Sequence, residues 1–135
     1  MRKLWRIVLL TVWLSGLSGM SSCSEASPEE LASLAAKGYY DHLIHGEYTQ
    51  FLEGMDQRDA MGQEDYRSQL LDTYRQFMAQ QQEVHGGIRE VRIVNATTDT
   101  IQKYTSVFLT LCFGDSTNEQ VSVPMIEHNG RWRMK

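Results

Sequence analysis

Disulfide staples, internal proline breaks and a basic surface are all scarce in this 135-residue chain. Its two cysteines, Cys23 and Cys112, cannot build the several-bridge framework that holds small exported scaffolds together, so the fold must rest on a hydrophobic core. The two prolines, Pro28 and Pro124, leave long uninterrupted stretches for helix and strand. Bases are outnumbered, 13 Lys and Arg against 17 Asp and Glu, and the deficit is local. Residues 25–83 carry 12 acids against Lys37, Arg58, Arg67 and Arg75, whereas from Val84 onward 6 bases face 5 acids. A nucleic-acid partner needs a basic footprint and is not expected, nor is charge-driven docking of the acidic half on anionic lipid. There is no internal repeat, no phosphate-cradling glycine loop and no serine in a nucleophile elbow. Long apolar runs are missing too: the longest aliphatic stretch, residues 7–14, breaks at Ser15-Gly16, well short of the roughly 20 residues a spanning helix needs.

That stretch has a different reading. Arg2, Lys3 and Arg6 precede it, and small or flexible residues lead from Ser15 to Ser21-Ser22-Cys23, the order of a cleaved export signal. The segment resembles the lipobox of bacterial lipoproteins, with Ser21 and Ser22 before the cysteine and Met20 where that family usually has Leu. The resemblance implies lipid on Cys23, a membrane contact made by that lipid, and a cell-envelope address. Ser24 beside the cysteine implies the outer membrane of a Gram-negative host. Acyl chains contribute about 0.8 kcal/mol per buried methylene, so a multiply acylated Cys23 would hold an otherwise soluble domain. With residues 1–22 removed, 10 of the 13 bases remain against all 17 acids. Cys112, left without a partner inside an alternating apolar pattern, reads as a buried small apolar residue.

Beyond a short tether, residues 23–27, the chain reads as one domain over residues 28–135. Ser27-Pro28-Glu29-Glu30 is a capping box with proline at the first helical position, and Leu31, Leu34, Ala35, Tyr39 and Leu43 recur on one face until Gly46. A short second helix over 47–52 should bury Tyr48, Phe51 and Leu52. The glycine-bracketed stretch 54–62 has no period and reads as a surface loop. The third helix aligns Tyr66, Leu70, Tyr74, Phe77 and Gln81, flanked by Leu71 and Met78, and stops at His85-Gly86-Gly87. The run Gln80-Gln81-Gln82 continues its exposed face.

The period then changes to two. Val91 and Ile93 mark a first strand; Val107, Leu109, Leu111 and Phe113 a second; Val121, Val123 and Met125 a third; Trp132 and Met134 a fourth. Turns fall at Thr98-Asp99, at residues 114–118 and at Asn129-Gly130, the last a strong hairpin signal. Pro124 lacks a ladder donor and predicts an edge or a bulge in the third strand. Helices followed by an antiparallel meander make an α+β fold, with helices on one face of a four-stranded sheet.

Chemistry is thin. Asp41 and His45 could share a helix face as a base with its orienting carboxylate, though a solvated surface pair is the simpler reading. His42 and His45 have metal-ligand spacing but no identifiable third ligand, so no metal or other cofactor is expected. His85 and His128 fall at turns. The tyrosines Tyr39, Tyr40, Tyr48, Tyr66 and Tyr74 read first as core, but phenols want partners, so Tyr39, Tyr40, Tyr66 and Tyr74 are also candidate linings of a semi-polar cavity. Asn95-Ala96-Thr97 matches a glycosylation pattern that an exported bacterial chain would not normally use.

The helix order, Tyr39-Tyr40, Gly46-Glu47-Tyr48, the His85-Gly86-Gly87-Ile88 entry to the sheet and the closing Asn129-Gly130-Arg131-Trp132-Arg133 resemble the nuclear transport factor 2-like superfamily, which has a cystatin-like α+β fold. More narrowly they resemble its small Bacteroidota-type lipoproteins of unknown function, a lumazine-binding-like group. The resemblance implies a cone whose curved sheet wraps a long helix and leaves a pocket at one end, and it says little of activity. The expectation is a noncatalytic, lipid-anchored binding or accessory domain that meets a small molecule or an envelope protein. The alternative is a small pocket enzyme of isomerase, dehydratase or hydrolase type, using an inward-facing carboxylate or histidine.

Overall fold

The computed structural model describes residues 25–56 and 64–135. The export signal, Cys23 and most of the expected surface loop lie outside the described residues.

The first helix, α1 (Pro28–Ile44), starts where the capping signal places it: the Ser27 side chain accepts from the Glu30 N–H at 3.2 Å, with Pro28 at the first helical position. Its exit is a Schellman turn. Glu47 N–H donates to the His42 carbonyl and Gly46 N–H to that of Leu43, while Gly46 takes φ +77°. The buried stripe of α1 differs from the sequence expectation. Ala32, Ala36 and Leu43 are buried, whereas Leu31 and Leu34 are 44% and 62% exposed. Small side chains let the helix lie close on the sheet, and the larger leucines are turned to its flank.

Helix α2 (Tyr48–Glu53) buries Phe51 and Leu52. The chain then leaves the helix along the sheet edge rather than as a free loop. Gly54 is buried under the Tyr39 ring, where any side chain would collide, and Met55 bridges Met134, with Met134 N–H donating to the Gly54 carbonyl and Asp56 N–H to that of Met134.

The longest helix, α3 (Glu64–His85), has no fully buried residue. Leu70, Leu71, Tyr74 and Met78 are half-buried against the core, while Tyr66 and Phe77 are exposed. The period seen in the sequence is real, but the helix roofs the sheet without sealing it.

Four antiparallel strands follow in spatial order: β1 (Ile88–Asp99), β2 (Tyr104–Phe113), β3 (Asn118–His128) and β4 (Arg131–Met134). The β1–β2 register slips by one residue between Ile88 and Glu90 and again between Ile93 and Asn95. Such bulges bend a strand, and here they curve the sheet around the helices. The β2–β3 ladder runs through Pro124 without a slip and β3 lies between β2 and β4, so this proline marks neither a bulge nor an outer edge strand. In an antiparallel ladder a residue's N–H and C=O face the same neighbour. The Pro124 carbonyl accepts from Lys135 N–H, so its missing donor falls at the very end of β4, where little pairing is lost. Asn129 and Gly130, at φ +54° and +77°, close the β3–β4 hairpin as their sequence demands.

The core lies between α1, α2 and the concave face: Val91, Val107, Leu109, Val123 and Met125 from the sheet meet Ala36, Leu43, Phe51 and Leu52. Each large apolar side chain so enclosed contributes about 1.5–3 kcal/mol. Cys112 is a free, buried thiol.

Candidate functional site

Because α3 does not seal the sheet, a cavity of about 260 Å³ remains beneath it. Tyr40 and Leu43 of α1, Phe51 of α2 and Thr73, Tyr74 and Phe77 of α3 form its upper wall. Ile88, Leu111 and Val121 form the floor on the sheet. The wall is mainly apolar, and its aromatic rings are locked edge to face: Phe51 stands 5.6 Å from Tyr40 and 4.8 Å from Tyr74, centroid to centroid.

Tyr40 and Tyr74 supply the polar character. Burial raises the Tyr40 hydroxyl above the ordinary phenol range, and the neighbouring Tyr74 adds to this. Burial does the same to Tyr74, with Tyr66 adding. Both stay protonated at neutral pH and so act as donors. Neither hydroxyl has a protein hydrogen-bond partner among the described residues, and neither is sealed from solvent. The other two candidate tyrosines stand elsewhere. The Tyr39 hydroxyl donates 2.7 Å to the Trp132 carbonyl, and Tyr66 is exposed near the start of α3.

The histidines sort differently from their sequence spacing. Asp41 pairs with Lys37 at 2.8 Å, and His45 Nδ1 meets the Asp41 main-chain carbonyl rather than its carboxylate. His42 Nδ1 lies 3.2 Å from Glu47. No group of metal-ligating side chains comes together among the described residues.

The pair that does form joins residues 30 positions apart: His85 Nδ1 is 3.0 Å from Asp115 Oδ2. His85 ends α3, Asp115 sits in the β2–β3 turn, and main-chain bonds from Gly114 N–H to Gly87 O and from Asp115 N–H to His85 O fasten the two segments. The His85 ring stacks on Phe113 at 4.5 Å. Phe113 in turn pairs in register with Ile88 of the cavity floor. The pair is partly open to solvent, with side chains 34% and 38% exposed. The Thr117 hydroxyl, then His85 and the Thr117 N–H, hold the Asp115 carboxyl down to about 2. A histidine oriented through Nδ1 by an ionised carboxylate leaves Nε2 free, the arrangement of a general base. Nothing in the local sequence marks this pair, and only the two glycine turns that meet there hint at a junction.

No family model matches the sequence, and no curated protein matches it. A search of solved structures finds the crystal structure of a "Putative NTF2-like transpeptidase" from Campylobacter jejuni, with a TM-score of 0.59 at 15% identity over 73% of this chain and 92% of that one. The chain has an NTF2-like fold. At that identity the likeness speaks for the cone-shaped α+β architecture and not for a shared reaction. The expectation of a noncatalytic domain is corrected here: a base-like His85–Asp115 pair that sequence spacing could not reveal is in place, and the Campylobacter protein of the same fold bears an enzyme's name. Among the described residues no helix of the domain is long and apolar enough to cross a membrane.

Proposed function

We propose that this NTF2-like domain is a small pocket enzyme that binds a compact, largely apolar molecule under α3 and acts on it by acid–base chemistry of isomerase, dehydratase or hydrolase type. The observation that carries this reading is the apolar cavity walled by Tyr40 and Tyr74, two neutral phenols with no protein acceptor among the described residues. A ligand offering a carbonyl or carboxylate oxygen would complete them. His85, oriented by Asp115, is the candidate base for a group that extends from the cavity towards the end of α3.

The Campylobacter protein's name suggests acyl transfer, which needs a nucleophile. Among the described lining residues the hydroxyl besides the phenols is that of Thr73, which already donates to the Gln69 carbonyl at 2.8 Å. That favours acid–base chemistry without an acyl-enzyme. The test is turnover of a panel of small esters and enolisable carbonyl compounds by residues 24–135. Activity that falls in both Tyr74→Phe and His85→Gln supports the reading, and activity indifferent to both overturns it.

The envelope address is a second part of the proposal. It is supported by Arg2, Lys3 and Arg6, the short apolar run and Ser21-Ser22-Cys23, and by the narrower resemblance to small lipoproteins. Cys23 carries the lipid, residues 23–27 form the tether, and the outer membrane of a Gram-negative cell is the destination. Labelled palmitate should enter the wild-type chain and not Cys23→Ala.

A further inference from the structure

We propose that the end of the fold where α1 begins is a membrane-contact surface, with Ile101 as the side chain that enters the bilayer interface. The proposal rests on the reading that Cys23 carries lipid. Three observations converge on that end. Cys23 precedes the helix cap Ser27 by four residues, so an anchor there lies at most about 14 Å from the start of α1. The Thr98 hydroxyl donates 3.1 Å to Glu29 Oε1, which fixes that helix start beside the end of β1. Register then brings the β1–β2 and β3–β4 turns to that same end, since Asp99 pairs with Tyr104 and His128 with Arg131, while the β2–β3 turn lies at the other.

Ile101 stands in the β1–β2 turn and is 89% exposed, the most exposed large apolar side chain described. It does not owe this to fraying. Asp99 Oδ1 accepts the N–H groups of both Ile101 and Gln102, and Lys103 N–H returns to the Asp99 carbonyl, so the turn is built to hold the residue out. This end of the fold carries charge of both signs, with acids in excess. Lys103, Arg131 and Lys135, the last 5.3 Å from the Tyr104 ring, share that end with Glu25, Glu29, Glu30, Asp99 and Glu127. The occupant that fits a projecting aliphatic side chain, mixed charge and a short lipid tether is the surface of a phospholipid bilayer, entered by the apolar contact rather than drawn by net charge.

The test uses the full chain, processed in a Gram-negative host and reconstituted into phosphatidylcholine vesicles. An environment-sensitive fluorophore is placed at Ile101→Cys, or at Gln120→Cys near the opposite end of the sheet, both in a Cys112→Ala background. With lipid on Cys23 verified by mass, the expected result is a blue shift and strong quenching by brominated lipid at position 101 and neither at 120. Equal, water-like signals at both positions would overturn the docking surface while leaving the anchor standing. A shift at 101 that grows with protein concentration at fixed lipid would assign the turn to a second copy and overturn it as well. An unmodified Cys23 would sink the anchor reading and this proposal together.

Discussion

The Tyr39 hydroxyl donates to the main-chain carbonyl of Trp132, 93 residues later, and so ties the middle of α1 to the last strand. Its ring also covers Gly54 at the exit of α2. Replacing Tyr39 with Phe keeps the ring and removes the donor. The expected cost is about 1 kcal/mol, the usual net worth of one such bond. It should be read as a lower denaturation midpoint at unchanged m-value.

Gly114 and Gly86 make the junction between α3 and the β2–β3 turn. A Cβ on Gly114 would strike the Gly86 carbonyl, whereas one on Gly86 would meet Gly114 only at ordinary contact distance. Gly86 has its own constraint, φ +75°. Gly114→Ala must therefore push main chain apart, at about 1–3 kcal/mol or more, the range for overpacking. Gly86→Ala incurs only the left-handed backbone cost of about 1–2 kcal/mol. Thermal unfolding of the two variants should rank Gly114→Ala as the less stable.

The fold holds Asp115 at about 2, against an ordinary 3.8, because the Thr117 hydroxyl, His85 and the Thr117 N–H favour its ionised form. A depressed carboxylate stabilises fully above its unfolded value, and this stabilisation is lost as pH falls through the folded one. Wild type should therefore lose stability between pH 4 and pH 2 more steeply than Asp115→Asn. Melting curves across that window check the sign, and a steeper loss in the variant would contradict it.

Cys112 is buried in β2 and lies outside the cavity wall. A thiol reagent should leave it unmodified in native protein and react once denaturant unfolds the chain. Fast native labelling would mean that β2 is more open than described.

Local and tertiary features of the domain are unequally visible in the sequence. Ser27 and Pro28 at the helix start, Gly46 at its end and Asn129-Gly130 at the last hairpin act through local backbone chemistry, so each could be read in place. The burial of α1 could not. Leu31 and Leu34 fit a helical stripe as well as Ala32 and Ala36 do, and the choice is made by how closely the helix approaches a sheet the local sequence does not contain. The β1 bulges that curve that sheet leave no turn residue to mark them. Tyr40 and Tyr74 were visible only as members of a tyrosine set, because facing one cavity depends on where α1 and α3 sit. The His85–Asp115 pair was out of reach for the same reason: 30 residues separate two turns that touch only after the hairpin folds back on α3.

The proposed chemistry depends on the space beneath α3. The most direct measurement is a titration of residues 24–135 with small aromatic carboxylates and ketones, followed by the NMR signals of the protein and repeated on Tyr74→Phe. Binding should perturb Tyr40, Tyr74, Leu111 and Val121 together, and Tyr74→Phe should weaken it by about tenfold, the equivalent of one lost hydrogen bond of ~1.4 kcal/mol. Perturbations scattered over the surface, or affinity unchanged without the Tyr74 hydroxyl, would contradict a functional cavity there.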